Sequence, residues 1–244
     1  KTKQNFLDYL KYGWLPWIFE MNYTEEVLFS YLYWIYMTIV LKDIIYHHQI
    51  KNIIFFKNLY KYTLKNIGNI MSGKSIWDYL KSKKIAIGNE TILNFLWYAQ
   101  QTFLLHKVYS VNPHSKKYFE IYNKFYAGDL WLRNALVGFD FKSDIGKLLE
   151  NYVYLTLKRY NYKITIGRLN SNKEIDFMIE KNGLIKYIQV CYLLWWEEAM
   201  KREYSTLEQI SDNRPKYIIS FDDINHGTYR GIEHINVMHL EDIL

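Results

Sequence analysis

Apolar positions recur at helical spacing through most of the first hundred residues and at strand spacing in much of the remainder. Helices are predicted over 5–11, 25–47, 51–67, 75–83 and 90–101. Gly13, with Trp14, Leu15 and Pro16 behind it, breaks the first of these, Gly68 ends the third, and Asn89 stands where an N-cap would. Two extended runs, 103–111 and 117–126, are joined by a turn through Asn112, Pro113 and His114. Three helices and then a hairpin is the order of a winged helix-turn-helix. Beyond it, Ser143 is read as the cap of a helix reaching about 160, followed by strands at 163–168, 174–180 and 184–192. A helix at 197–210 and strands at 216–220 and 232–237 complete the chain. The order αβββαβ predicts a sheet with helices on its faces. The expected architecture is therefore mixed α/β: a helical lead-in over 1–50, a winged helix over 51–130 and an α/β domain over 131–244.

The run from 27 to 41 holds fifteen residues without a charge. That is short of the roughly 20 apolar residues a spanning helix requires, and the run contains Ser30, Thr38 and three tyrosines, so a buried helix is expected and no membrane partner. Half of the 244 residues are hydrophobic and 18% are aromatic, which excludes a disordered chain and leaves room for two cores. One cysteine, Cys191, allows neither an intramolecular disulfide nor a thiol-rich zinc site, and fits a reducing, cytoplasmic compartment. There is no signal-peptide pattern and the first residue is Lys, so a piece of a longer protein is expected.

Charge is unevenly placed. Residues 51–126 hold twelve lysines, three acidic residues and no arginine, a net charge of +9, whereas 1–50 and 141–244 each come to −1. A concentrated positive stretch is the footprint of a phosphate-backbone partner, and DNA is the expected one. A solvated lysine-rich surface is the alternative. Lys81, Lys83, Lys84, Lys116, Lys117 and Lys124 are the candidates to hold phosphates. On the third helix of the winged unit, Glu90, Asn94, Tyr98 and Gln101 face outward, with Asn94 able to read an adenine edge.

Asn182 and Gly183 are the strongest hairpin signal, because a type I′ turn needs positive φ at both central residues. With those two in the loop, Asp176 faces Gln189 and Glu174 faces Cys191. Alternation puts these four on one polar face, and Ile175, Phe177, Ile188 and Val190 on the other.

A carboxylate on one hairpin strand, facing an acid-x-Lys on the next and preceded by a helix bearing Glu, resembles the layout of PD-(D/E)XK nucleases. The longer stretches 9–16, 42–44, 149–151, 174–177, 187–190 and 215–220 resemble prokaryotic AAA-type ATPases whose C-terminal region is a domain of unknown function. That region holds a winged helix and a restriction-endonuclease-like module. The resemblance implies site positions Glu150, Asp176 and Gln189, with Cys191 in place of the lysine. In an active member the carboxylates would hold Mg²⁺ to activate water, and the lysine would steady the phosphate. Here an amide replaces one acid and a thiol replaces the cation, so the resemblance implies a nuclease fold retained for binding, with no cofactor required. It also implies an ATPase domain in cis, absent from this chain. An active Mg²⁺-dependent endonuclease and a protein-interaction module without DNA binding are the alternatives. Lys173 and Lys186 are the nearest substitutes for the missing lysine, and both fall on the wrong strand parity.

Other motifs carry less. Residues 68–75 match the P-loop pattern letter for letter, but the stretch before Gly68 reads as helix rather than the strand a P-loop requires, so no ATP site is expected. Glu150 shares a helical face with Gly146, Val153 and Leu157, and is either a metal ligand or a hydrogen-bonded structural residue. Cys191 with a distant His234 makes a weak nucleophile pair. His47 and His48 lack metal-ligand company, and Trp195 and Trp196 read as core or interface.

Overall fold

The computed structural model describes residues 2–13, 24–85, 87–169, 173–194, 197–223 and 227–244. Residues 14–16 of the first break, and Trp195 with Trp196, lie outside them. The chain is mixed α/β and divides into two units, one of residues 4–107 with 124–141, the other of residues 1–3 and 108–123 with 142–244.

In the first unit, α1 (Lys3–Tyr12) ends at Gly13, whose φ is +72° and where a Cβ would lie 2.3 Å from the Trp131 ring. Only glycine fits both demands. Helix α2 (Glu25–Ile39) runs into a π-helical segment, Val40–Tyr46, so the single helix expected over 25–47 changes hydrogen-bonding register near its end. Helix α3 (Ile53–Lys65) is capped by Asn52, whose Oδ1 accepts from the Phe55 amide at 3.0 Å. It meets α2 through stacked Tyr36 and Tyr60 rings, 5.7 Å apart. A short strand β1 (Ile70–Met71) leads into α4 (Gly73–Ser82), where Ser72 and Ser75 form a capping box.

Helix α5 (Asn89–Gln101) begins one residue earlier than a cap at Asn89 would place it: Gly88 is the N-cap and Asn89 is already helical. Phe95 fixes α5 on α3 through Phe55 and Phe56, with ring centroids 5.8 and 5.4 Å away. Strands β2 (Leu105–Val111) and β3 (Tyr118–Ala127) follow. Phe103, expected at the start of β2, has φ +58° and belongs to the turn before it. A helix that the sequence pattern did not reveal, α6 (Leu130–Val137), is capped by Asp129, which accepts from the Trp131 and Leu132 amides. Next to it the buried Arg133 donates to the Leu64 and Gly138 carbonyls, supplying partners to the chain ends of α3 and α6.

In the second unit, helix α7 (Phe141–Arg159) starts ahead of Ser143, which is its third residue rather than its cap. The strands β4 (Lys163–Arg168), β5 (Glu174–Lys181), β6 (Leu184–Val190), β7 (Lys216–Ser220), β8 (Thr228–Tyr229) and β9 (Ile232–Asn236) lie in the order β4-β5-β6-β7-β9-β8. On the free side of β4, Ser110 and Val111 of β2 pair parallel with Ile166 and Gly167. Strands β4, β5 and β6 are antiparallel; β6, β7 and β9 run parallel. The parallel step from β6 to β7 needs a crossover, and α8 (Glu197–Leu207) provides it. The chain closes with a 3₁₀ segment, Val237–Ile243.

Asn182 and Gly183 have φ of 53° and 79°, as a type I′ turn demands, and the register is set by them: Phe177 pairs Ile188 and Met178 pairs Tyr187. Both faces are covered. Tyr154 of α7 approaches Phe177 at 6.4 Å, while α8 packs on β5, β6 and β7 over Tyr187, Tyr204, Leu207 and Ile218.

Candidate functional site

The hairpin's regular ladder stops at the Phe177–Ile188 pair. One residue further, side chains take over the strand-to-strand bonds. The Asp176 amide donates to Gln189 Oε1 at 3.3 Å, and Asp176 Oδ2 accepts from the Val190 amide at 2.9 Å. Both side chains are buried. Past this point β6 keeps to its other neighbour, since the Cys191 amide donates to the Ile219 carbonyl. Glu174 accordingly does not pair with Cys191 as expected. It lies opposite Arg168 on β4, 3.7 Å away as an ion pair. Nor is Ile175 confined to the opposite face: it packs in the same cluster as Ile185 and Tyr187, because the β4–β5 register shifts between Thr165 and Gly167.

Three residues that no motif announced join Asp176 and Gln189. Glu203, from α8, is buried, within hydrogen-bonding reach of Gln189 and close enough to Asp176 for that carboxylate to disfavour its ionisation. Arg202 binds Glu203 Oε1 through Nε at 2.8 Å and Nη2 at 2.7 Å, with its side chain largely in solvent. Asp222, two residues beyond β7, is buried, and its Oδ2 accepts from the Leu194 amide. Its Oδ1 has no hydrogen-bond partner among the described residues. A signal for Glu203 existed. Met200, Glu203, Tyr204 and Leu207 sit three and four apart, so the acid interrupts an apolar stripe.

These groups set the field at position 191. Burial first, then Glu203, Asp222 and Asp176, push the Cys191 thiol well above its ordinary range, with Arg202 pulling the other way. The thiol is therefore protonated at neutral pH and has no nucleophilic character. His234 is occupied elsewhere, its Nε2 lying 2.7 Å from Ser220 Oγ. Glu203 is also raised, chiefly by burial and then by Asp176, while the Arg202 and Gln189 hydrogen bonds lower it.

Glu150 is half-buried on α7 beside the buried Leu149 and Val153, while Gly146, expected on its face, is exposed. Among the described residues no three His, Cys, Asp or Glu side chains converge as metal ligands, so Glu150 and Asp176 belong to no such group. Gln189 is the further oxygen donor in reach of Asp176. Lys173 donates to Ser205 Oγ at 2.8 Å, and Lys186 to the Ile243 carbonyl.

The lysine-rich segment contributes to both units. Lys81, Lys83, Lys84 and Asn94 are exposed in the first, and Lys116 and Lys117 at the β2–β3 tip in the second. Lys124 is buried and cannot meet a phosphate without rearrangement. Residues 68–75 come after helix α3, and Ser75, which would be the metal-binding hydroxyl of a P-loop, closes the α4 capping box. No described helix is long and apolar enough to cross a membrane.

The sequence profile of a family described as "Domain of unknown function (DUF8612)" matches residues 3–143. An uncharacterized protein of Haemophilus influenzae is 28% identical over 233 residues, covering 96% of this chain and 56% of its own length. The uncharacterized protein MJ1544 of Methanocaldococcus jannaschii is 29% identical over 249 residues, covering 97% of this chain and 52% of its own. The chain thus spans about half the length of these curated relatives. None of these descriptions names an ATPase or a nuclease. No solved structure matches the chain.

Proposed function

The chain belongs to the DUF8612 family, and from that premise and its geometry we propose that it is a DNA-binding region whose second unit is a nuclease-like module without catalytic competence. The observation that carries this is the placing of exposed lysines. Lys81 lies in the last turn of α4, Lys83 and Lys84 in the α4–α5 connection, and Lys116 and Lys117 at the hairpin tip, with no acidic residue in 81–89 or 112–119. In a winged helix-turn-helix, which the order α3-α4-α5-β2-β3 matches, these are the helix-to-helix turn and the wing, the parts that meet the backbone. Phosphate contacts of this kind supply affinity without sequence preference.

In the second unit, Asp176 and Gln189 take the positions of the two PD-(D/E)XK strand residues, and Cys191 that of the lysine. One oxygen of each is bonded to a backbone amide, Gln189 Oε1 to that of Asp176 and Asp176 Oδ2 to that of Val190. The remaining half of each relative is where an ATPase domain of the kind the sequence resembles would lie. The module then serves that domain as a DNA grip.

The test is binding of a fluorescent duplex at rising salt, with the wild-type chain beside a Lys83→Ala, Lys84→Ala, Lys117→Ala variant. The wild type should bind at low salt along a steep log-log slope, and the variant should bind more weakly with a slope flatter by about 0.9 for each phosphate no longer held. No binding at low salt, or a slope unchanged by the substitutions, would instead make the chain a protein-interaction module.

A further inference from the structure

Helix α5 presents Glu90, Leu93, Asn94, Trp97 and Gln101 to solvent at spacings of three and four, a stripe with one acid and no cation. Leu93 is 47% exposed and Trp97 is 50% exposed. Trp97 does not stand alone. His48 lies flat on Tyr98 with centroids 3.8 Å apart and planes at 11°, and Trp97 is set edgewise to both, 5.9 Å from His48 and 5.5 Å from Tyr98. The His48 imidazole is held below its ordinary pKa, first by burial and then by His47, so this aromatic group is neutral at physiological pH. The segment 51–107, to which α5 belongs, carries nine lysines and two acids.

A helix that reads duplex DNA meets base edges, through guanidinium, amide or hydroxyl groups, and the faces of paired bases are shut inside the stack. A half-exposed indole on a helix of a cationic segment suits the opposite case. Unpaired bases offer their faces, and each stacked base contributes about 1–3 kcal/mol, while lysines track the backbone. We propose that the α5 surface built on Trp97, with His48 and Tyr98 beside it, stacks unpaired bases, so that the ligand of this unit is single-stranded or locally opened DNA. This rests on the DNA-binding reading and narrows its substrate.

The experiment compares an oligothymidylate with a mixed-sequence duplex of equal length, by fluorescence anisotropy on the intact chain and its Trp97→Ala and Trp97→Phe variants. The single strand should bind more tightly than the duplex. Trp97→Ala should weaken it roughly tenfold, as loss of one stacked base implies, with Trp97→Phe retaining most of the affinity and duplex binding unchanged. Photocrosslinking of a bromodeoxyuridine-substituted strand to the wild-type chain should map to Trp97, a readout independent of the variants' folding. Equal affinities indifferent to Trp97 would overturn the stacking proposal and leave phosphate binding standing. No binding of either nucleic acid would overturn both. A Trp97-dependent dimer in sedimentation, without crosslinking, would make the face a contact between copies of the chain.

Discussion

Asp176 and Gln189 are joined across the β5–β6 hairpin by a side chain where the ladder would use backbone: the Asp176 amide donates to Gln189 Oε1 at 3.3 Å. The Asp176 carboxylate makes the reciprocal connection to the Val190 amide at 2.9 Å. The carboxylate thus acts as a strand-pairing group as much as a charge, and the two strands separate here so that β6 can stay with β7.

Removing that group leaves the half-buried Val190 N–H without this acceptor. Asp176→Ala should lower stability by about 1–3 kcal/mol in urea denaturation, whereas Asp176→Asn, which keeps an acceptor oxygen, should cost clearly less. Equal losses in the two variants would show that the Val190 bond contributes nothing.

Glu203 connects the hairpin to α8, and its raised pKa gives stability a pH dependence of definite sign. A carboxyl whose folded pKa exceeds its unfolded value binds its proton more readily when folded, so its contribution to stability declines as pH rises from the unfolded value through the folded one. Glu203→Gln should therefore flatten the stability profile on the alkaline side of about pH 4. Arg202→Ala should steepen it, because the group opposing the shift is gone. Urea midpoints across this range read the effect. Profiles that superimpose on the wild type would remove the Arg202–Glu203–Asp176 coupling from the account.

Asp129 makes the same case in the other unit. Burial pushes its carboxyl up to about 6, against the lowering effect of the Trp131 and Leu132 bonds that cap α6. The sign is again a loss of stability on raising pH, here between the unfolded value near 4 and about 6. Asp129→Asn preserves the capping oxygen without the charge, and should match the wild type at pH 4 and exceed it at pH 7 by about 1–2 kcal/mol. A variant less stable than wild type at pH 7 would mean that the ionised cap is worth more than its desolvation costs.

How much of this was legible in the sequence depended on whether a feature was local. The type I′ turn at Asn182 and Gly183 is fixed by two adjacent residues, and it set the register that brings Asp176 to Gln189. The early end of that ladder was not legible, since it depends on the shift between Thr165 and Gly167 and on competition from β7. Glu203 and Asp222 reach the site from segments separated from the hairpin in sequence, where spacing rules have no purchase. Glu203 left a trace as an acid in an apolar stripe, and Asp222 left none. Helix α6 was missed because eight residues give too little periodicity, although Asp129 at its start was a readable cap. The stacking of His48 on Tyr98 joins the turn after the π-helical end of α2 to α5, a tertiary contact that gave the histidine pair a role the sequence did not show.

The chemistry of the second unit leads to the last prediction, that the chain has no Mg²⁺-dependent nuclease activity of its own. A hydrolytic site would need oxygen ligands free to converge on a metal and a cation at the scissile phosphate. Asp176 and Gln189 are each hydrogen-bonded to a backbone amide, and no three acidic, histidine or cysteine side chains among the described residues converge as metal ligands. At position 191 three carboxylates act on a neutral thiol, a field that would favour a lysine and holds none. Lys173 and Lys186 are bonded to Ser205 and Ile243. Arg202 is a cation whose charge reaches Asp176 and Cys191 but whose side-chain hydrogen bond goes to Glu203. Incubation with supercoiled, linear and branched DNA in Mg²⁺ or Mn²⁺ should therefore give no cleavage by the wild type or by an Asp176→Ala control. Cleavage that vanishes in both Asp176→Ala and Arg202→Ala would reverse the conclusion and identify Arg202, arriving from α8, as the cation that β6 lacks.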